Sequence, residues 1–149
     1  MLSKKYKRIV FMNLSQTAKY AIRILSFMAM EKNKLYTAKE LVEKLNISDK
    51  YLRKIMTDIS KAGLIKSSRG RGGGYVFSVT TNRIFLLDII QAVEQTKKYT
   101  GCILGFENCS DEKPCVVHQE WVKVGKKTME IFSKISLREL VETDFTGKF

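Results

Sequence analysis

Ser48-Asp-Lys-Tyr-Leu-Arg-Lys-Ile-Met-Thr-Asp-Ile-Ser-Lys-Ala-Gly63 runs into Leu64-Ile-Lys-Ser-Ser-Arg-Gly-Arg-Gly-Gly-Gly-Tyr-Val-Phe-Ser-Val79, and these 32 residues set the fold. Leu52, Ile55, Met56 and Ile59 recur at helical spacing behind a Ser48 cap. Gly63 stands where a left-handed C-terminal cap belongs. The opposite face carries Asp49, Lys50, Arg53, Lys54, Thr57 and Lys61. Two β-branched and aromatic runs, 64–67 and 75–79, then flank Ser68–Gly74 and predict a hairpin with Arg69 and Arg71 at its tip.

Upstream, Thr37-Ala-Lys-Glu40 is a capping box that opens a short helix with an apolar face of Ala38, Leu41, Val42 and Leu45. Asn46 and Ile47 break it before Ser48. Two short helices around a tight turn form a helix-turn-helix pattern, and a plain helical hairpin with a solvated basic side would share that spacing. The basic glycine hairpin that follows favours a winged helix, with one helix in the major groove of double-stranded DNA and a wing beside it. Ser48, Lys50, Tyr51, Arg53 and Lys54 are the candidate groove residues, and Arg69, Arg71 and Gly72 the candidate wing residues. Arginine clamps phosphate or enters a minor groove, and glycine lets backbone N–H groups approach the DNA. The glycine run matches neither nucleotide-binding fingerprint: no Lys follows it as in a P-loop, and Tyr75 stands where a dinucleotide motif needs glycine.

Composition agrees with a nucleic-acid partner. The 149 residues suit about one domain, and 44% hydrophobic with 28% charged residues excludes a disordered or low-complexity chain. Formal net charge is +12, with residues 1–100 carrying +13 and residues 101–149 carrying −1. A polyanion is the natural partner of such a basic half. The apolar stretch Ala21–Met30 is broken by Arg23 and is too short to span a bilayer, and Ile9–Met12 is too short for a secretory signal. The expectation is a cytoplasmic protein with no membrane partner and no small-molecule substrate. The arm Lys4, Lys5, Lys7 and Arg8 is a candidate for additional phosphate contacts.

Outside the DNA-binding half, Leu14–Met30 and Phe85–Glu94 read as amphipathic helices. Periodicity then stops through residues 97–117, which hold Pro114 and all three cysteines, and returns from Trp121 to Ile135 as a helix of four to five turns. Ser136-Leu-Arg-Glu139 opens a last short helix. The fold class expected is mainly α with a small β-hairpin wing, and a long C-terminal helix that dimerises. Residues 1–96 form the DNA-binding domain, 97–118 a cysteine-rich loop, and 119–149 the dimerisation helix and tail.

The loop reads Cys102-x6-Cys109-x5-Cys115-x2-His118, and His118 is the chain's only histidine. Three thiols and one imidazole are a complete set of four soft ligands. An odd cysteine count in a cytoplasmic chain argues against a disulfide framework. A catalytic Cys–His pair would leave two cysteines idle, and buried structural cysteines would need an apolar period that this stretch lacks. Spacings of six and five lack the short chelate of structural zinc sites and suit an iron–sulfur cluster, 2Fe–2S or 4Fe–4S. A zinc-stabilised interaction module that binds nucleic acid loosely is the alternative.

These motifs resemble the Rrf-two family of winged-helix transcription regulators. The resemblance runs from about Asn13 to Val141 and rests on Leu14–Arg23, Ser48-x-x-Tyr51-Leu52, Ala62-Gly63-Leu64-Ile65 and the wing signature Ser67-x-Arg69-Gly70-x-x-Gly73-Gly74-Tyr75. Cys115-Val-Val-His118-x-x-Trp121 and Ile135-Ser-Leu-x-Glu139-Leu140 resemble the family's iron–sulfur branch. That resemblance implies a 2Fe–2S cluster on Cys102, Cys109, Cys115 and His118, a homodimer, and a palindromic operator. Two positions depart from the pattern. The first cysteine spacing is one residue longer, and Lys19 stands where some relatives that sense nitric oxide or redox state, the second alternative, take a carboxylate ligand from the partner subunit.

Overall fold

The computed structural model describes residues 14–31 and 33–143; the basic arm at 4–8 lies outside them. Helix α1 (Gln16–Ala29) starts at Ser15, whose hydroxyl accepts the Ala18 N–H at 3.1 Å. It buries Ala18, Ala21, Ile22, Ile24, Leu25 and Met28 and forms the spine of the core. The Thr37 hydroxyl accepts the Glu40 N–H at 3.1 Å and opens α2 (Ala38–Leu45), while the Glu40 carboxylate pairs with Lys34 at 2.9 Å. Asn46 takes the left-handed conformation at φ 52°, which its short polar side chain tolerates, and turns the chain into α3 (Asp49–Lys61). Ser48 caps α3, and Leu52, Ile55, Met56 and Ile59 are fully buried. Each such side chain contributes about 1.5–3 kcal/mol by leaving water.

Strands β1 (Ile65–Ser68) and β2 (Gly74–Phe77) pair antiparallel, with Ile65 opposite Phe77 and Ser68 opposite Gly74. Tyr36 adds a short bridge to β2: its N–H donates to the Tyr75 carbonyl at 3.0 Å and its carbonyl accepts the Tyr75 N–H at 2.8 Å. This bridge ties the wing to the entry of α2. It also explains Gly74, where a Cβ would lie 2.5 Å from the Tyr36 carbonyl oxygen.

A short 3-10 turn at Thr81–Arg83 leads to α4 (Leu86–Val93), followed by the four-residue α5 (Lys97–Thr100), the long α6 (His118–Lys134) and α7 (Leu137–Glu142). The chain doubles back between α6 and α7. Leu86 N–H donates to the Ile135 carbonyl at 2.8 Å, Leu137 N–H donates to the Ile84 carbonyl at 2.7 Å, and Leu137 is fully buried in the α1–α3 core. A smaller cluster of Ala18, Ile90 and Tyr99 receives Met129 and Phe132 from α6, with the Tyr99 and Phe132 rings edge to face at 5.6 Å. Gly125 is the one buried residue of α6, and Val124 and Ile131 are each 44% exposed. The architecture is the mainly helical winged helix expected from the sequence. Among the described residues no helix is long and apolar enough to cross a membrane.

Candidate functional site

Two sites stand apart on this frame. The first lies between α3 and the wing, where an open groove of about 550 Å³ is lined by Lys39, Arg53, Thr57, Ser68, Arg69 and Tyr75, among others. Lys50, Arg53 and Lys54 are exposed on α3. Arg53 is held by Asp49 at 2.8 Å one turn earlier, and Lys54 lies 3.5 Å from Asp58. These exposed pairs are weak, since surface ion pairs contribute about 0–1 kcal/mol. Arg69, Arg71 and Gly72 are exposed at the wing tip, and Gly70 and Gly72 both take positive φ (91° and 81°). The Ser48 hydroxyl accepts the Tyr51 N–H at 3.4 Å as the α3 cap.

Tyr51 differs from its neighbours. It is half-buried, its hydroxyl lies 2.7 Å from Thr17 Oγ1, and its ring meets Tyr20 edge-on at 5.5 Å. It braces α3 against α1. Lys39, in the first turn of α2, lines the groove and is a residue that sequence reasoning misses. The Thr37 cap is the available signal, because it marks a helix N-terminus whose free N–H groups favour an anion.

The second site is the cysteine loop. The three Sγ atoms lie within 4.8 Å of one another, and Cys102 and Cys115 are 3.8 Å apart. A tetrahedral metal with thiolate bonds of about 2.3 Å sets ligand edges of about 3.8 Å, so the donors fit a metal or cluster. His118, at the first turn of α6, has Nδ1 3.2 Å from Cys109 Sγ and Nε2 2.9 Å from Asp111 Oδ1. The fold thus brings together the four side chains named from the sequence and adds Asp111, which sequence reasoning misses. Its signal is an acidic residue two positions beyond a cysteine, which is weak in a loop that also holds Glu107 and Glu112.

Local bonds hold the loop. The Trp121 indole N–H donates to the Gly101 carbonyl at 2.8 Å, and the His118 N–H donates to the Cys115 carbonyl at 3.0 Å. A small cavity of about 80 Å³ lies beside the thiols and is lined in part by Ile103, Trp121 and Val122. Backbone N–H groups of Phe106 and Leu104 hold the Cys102 thiol below its usual pKa. Cys109 receives the Cys115 N–H, which acts in the same direction, but burial and the neighbouring thiols outweigh it and push Cys109 up.

Known proteins share the sequence pattern and fold of this chain. The profile of the Rrf2 family, described as an iron-dependent transcriptional regulator, matches residues 14–143. The transcriptional regulator IscR of Xenorhabdus nematophila is 30% identical over 132 residues, covering 88% of this chain and 80% of that protein. The structure of CymR, the global cysteine regulator of B. subtilis, superposes with a TM-score of 0.71 at 26% identity, covering 88% of this chain and 97% of that one. T. potens IscR shares the fold, with a TM-score of 0.71 at 24% identity and 93% coverage of both chains. These relatives are transcription regulators rather than enzymes, and the chain belongs to the Rrf2 family of winged-helix transcriptional regulators.

Proposed function

We propose that this DNA-binding regulator acts as a homodimer on a palindromic operator, and that a 2Fe–2S cluster held by Cys102, Cys109, Cys115 and His118 tunes its affinity. The observation that carries the reading is the convergence of three thiols within 4.8 Å, with an imidazole nitrogen 3.2 Å from one of them. When bound, such a cluster supplies a one-electron redox centre whose charge changes with its state.

Division of labour follows the three segments 1–96, 97–118 and 119–149. Lys50, Arg53 and Lys54 meet the major groove, with Ser48 and Tyr51 fixing the start of α3. Arg69, Arg71 and the backbone at Gly72 serve the phosphates or the minor groove beside it, and Lys39 adds a phosphate contact. The face of α6 carrying the exposed Val124 and Ile131 pairs with its twin. Two-fold symmetry then matches a palindrome with half-sites one or more helical turns apart. The cysteine loop joins the DNA-binding half to this pairing helix, so ordering the loop adjusts the angle between two copies of α3.

The test is composition and spectroscopy of protein prepared without air. About two irons and two acid-labile sulfides per chain, with visible absorption, support the reading. A colourless protein with one zinc per chain would replace it with a structural metal site.

A further inference from the structure

The His118 ring is held from both edges. Nδ1 faces the thiols, 3.2 Å from Cys109 Sγ, and Nε2 lies 2.9 Å from Asp111 Oδ1. The histidine side chain is only 12% exposed, whereas Asp111 is 89% exposed and meets the ring at its outer edge. Asp111 has a built mount: the Lys113 N–H donates to the Ser110 hydroxyl and the Ser110 N–H donates to the Lys113 carbonyl, both at 3.3 Å. This closes the turn that carries Asp111.

A neutral imidazole has one N–H and one lone pair, and an ionised carboxylate can only accept. A ring that donates Nε2–H to Asp111 therefore presents the Nδ1 lone pair toward the thiols. We propose that Asp111 is the positioning residue of the metal centre: it accepts Nε2–H of His118, fixes that tautomer and ring angle, and makes Nδ1 the coordinating atom. The inference rests on His118 being the fourth ligand, and adds which nitrogen binds and which residue selects it. Carboxylates in this outer position orient metal-bound histidines widely, and their removal commonly costs about 10–100-fold in metal affinity. Asp111 lies outside the four-ligand set, so its loss would weaken the centre without deleting a ligand.

The experiment uses the full chain as wild type, Asp111→Ala, Asp111→Asn, His118→Ala and the Asp111→Ala/His118→Ala double variant. Two quantities are read: the ring-nitrogen NMR signals of His118 in metal-free protein, and the lifetime of the reconstituted cluster under a chelator. Metal-free wild type should show the Nε2–H tautomer, and Asp111→Ala a mixture. Asp111→Ala should shorten the cluster lifetime about tenfold or more. Asp111→Asn, whose amide oxygen still accepts the hydrogen bond, should recover most of it. On the His118→Ala background, Asp111→Ala should change nothing further. Wild-type tautomer and lifetime in Asp111→Ala, with His118→Ala impaired, overturns the role of Asp111 alone. Wild-type lifetime in His118→Ala overturns the fourth-ligand reading and this inference with it.

Discussion

The Tyr51 hydroxyl lies 2.7 Å from Thr17 Oγ1, which joins the first turn of α3 to the first turn of α1. The same turn of α1 is capped by Ser15, and Ala18 within it packs against Tyr99. Glu94 ends α4 and binds Lys98 at 2.6 Å and the Tyr99 hydroxyl, immediately before Gly101 and the cysteine loop. The loop entrance and α3 thus both brace against the first turn of α1. Thr17→Val and Tyr51→Phe should each cost about 0.5–1.5 kcal/mol of stability, and the double variant less than their sum. Urea unfolding of the four proteins checks this; strictly additive losses would mean the two hydroxyls do not interact.

Glu94 gives the chain an acid limb. Burial alone would raise its pKa, but hydrogen bonds from Lys98, Ser15 and Tyr99 outweigh burial and hold it below the ordinary 4.5. A carboxylate depressed in the folded state adds stability that is present above its unfolded pKa and is lost as pH falls through the lower folded value. Glu94→Gln should therefore lower stability at pH 7 by about 1–3 kcal/mol. The difference from wild type should shrink as pH falls below about 4.5, measured by unfolding across pH 3–7. A gap constant with pH would remove Glu94 from the acid response.

The wing should act on the DNA backbone. Arg69→Ala and Arg71→Ala leave β1–β2 pairing intact, since both residues are exposed at the tip. Each should weaken DNA binding and reduce the slope of log affinity against log salt, by up to about one unit for every phosphate that its guanidinium neutralises. Unchanged slopes in titrations at several salt concentrations would keep the wing off the phosphates.

Trp121 should control loop order without controlling the fold. Its indole N–H anchors the Gly101 carbonyl, one residue before Cys102. Trp121→Phe should speed amide exchange at residues 101–109 while protection across α1 and α3 stays at wild-type level. Equal acceleration in both regions would make Trp121 a general core residue.

Much of the fold is legible in the sequence because the signals are local. Ser48, Thr37 and Ser136 each cap the helix that their spacing announces, Gly63 takes φ +77°, and the hairpin pairs Ser68 with Gly74 on either side of the glycine tip. The contacts that escape are between residues far apart in the chain. Tyr36 meets Tyr75, Leu137 returns to the core beside α1, and Tyr51, expected as a groove residue, spends its hydroxyl on Thr17. No periodicity encodes such pairings. The four-residue α5 is too short to give a periodic signal, yet Tyr99 within it anchors α6. In the loop, spacing gathers the donors, but only the folded turn reveals that Asp111 reaches His118.

Gating requires that an occupied cysteine loop change DNA affinity. Protein prepared without air is titrated against a DNA site selected from a random pool, before and after its iron is removed by a chelator. The expected result is a shift of about 5–150-fold in dissociation constant, corresponding to roughly 1–3 kcal/mol of coupling. Identical affinities in the two forms, on every site selected with either, would contradict it.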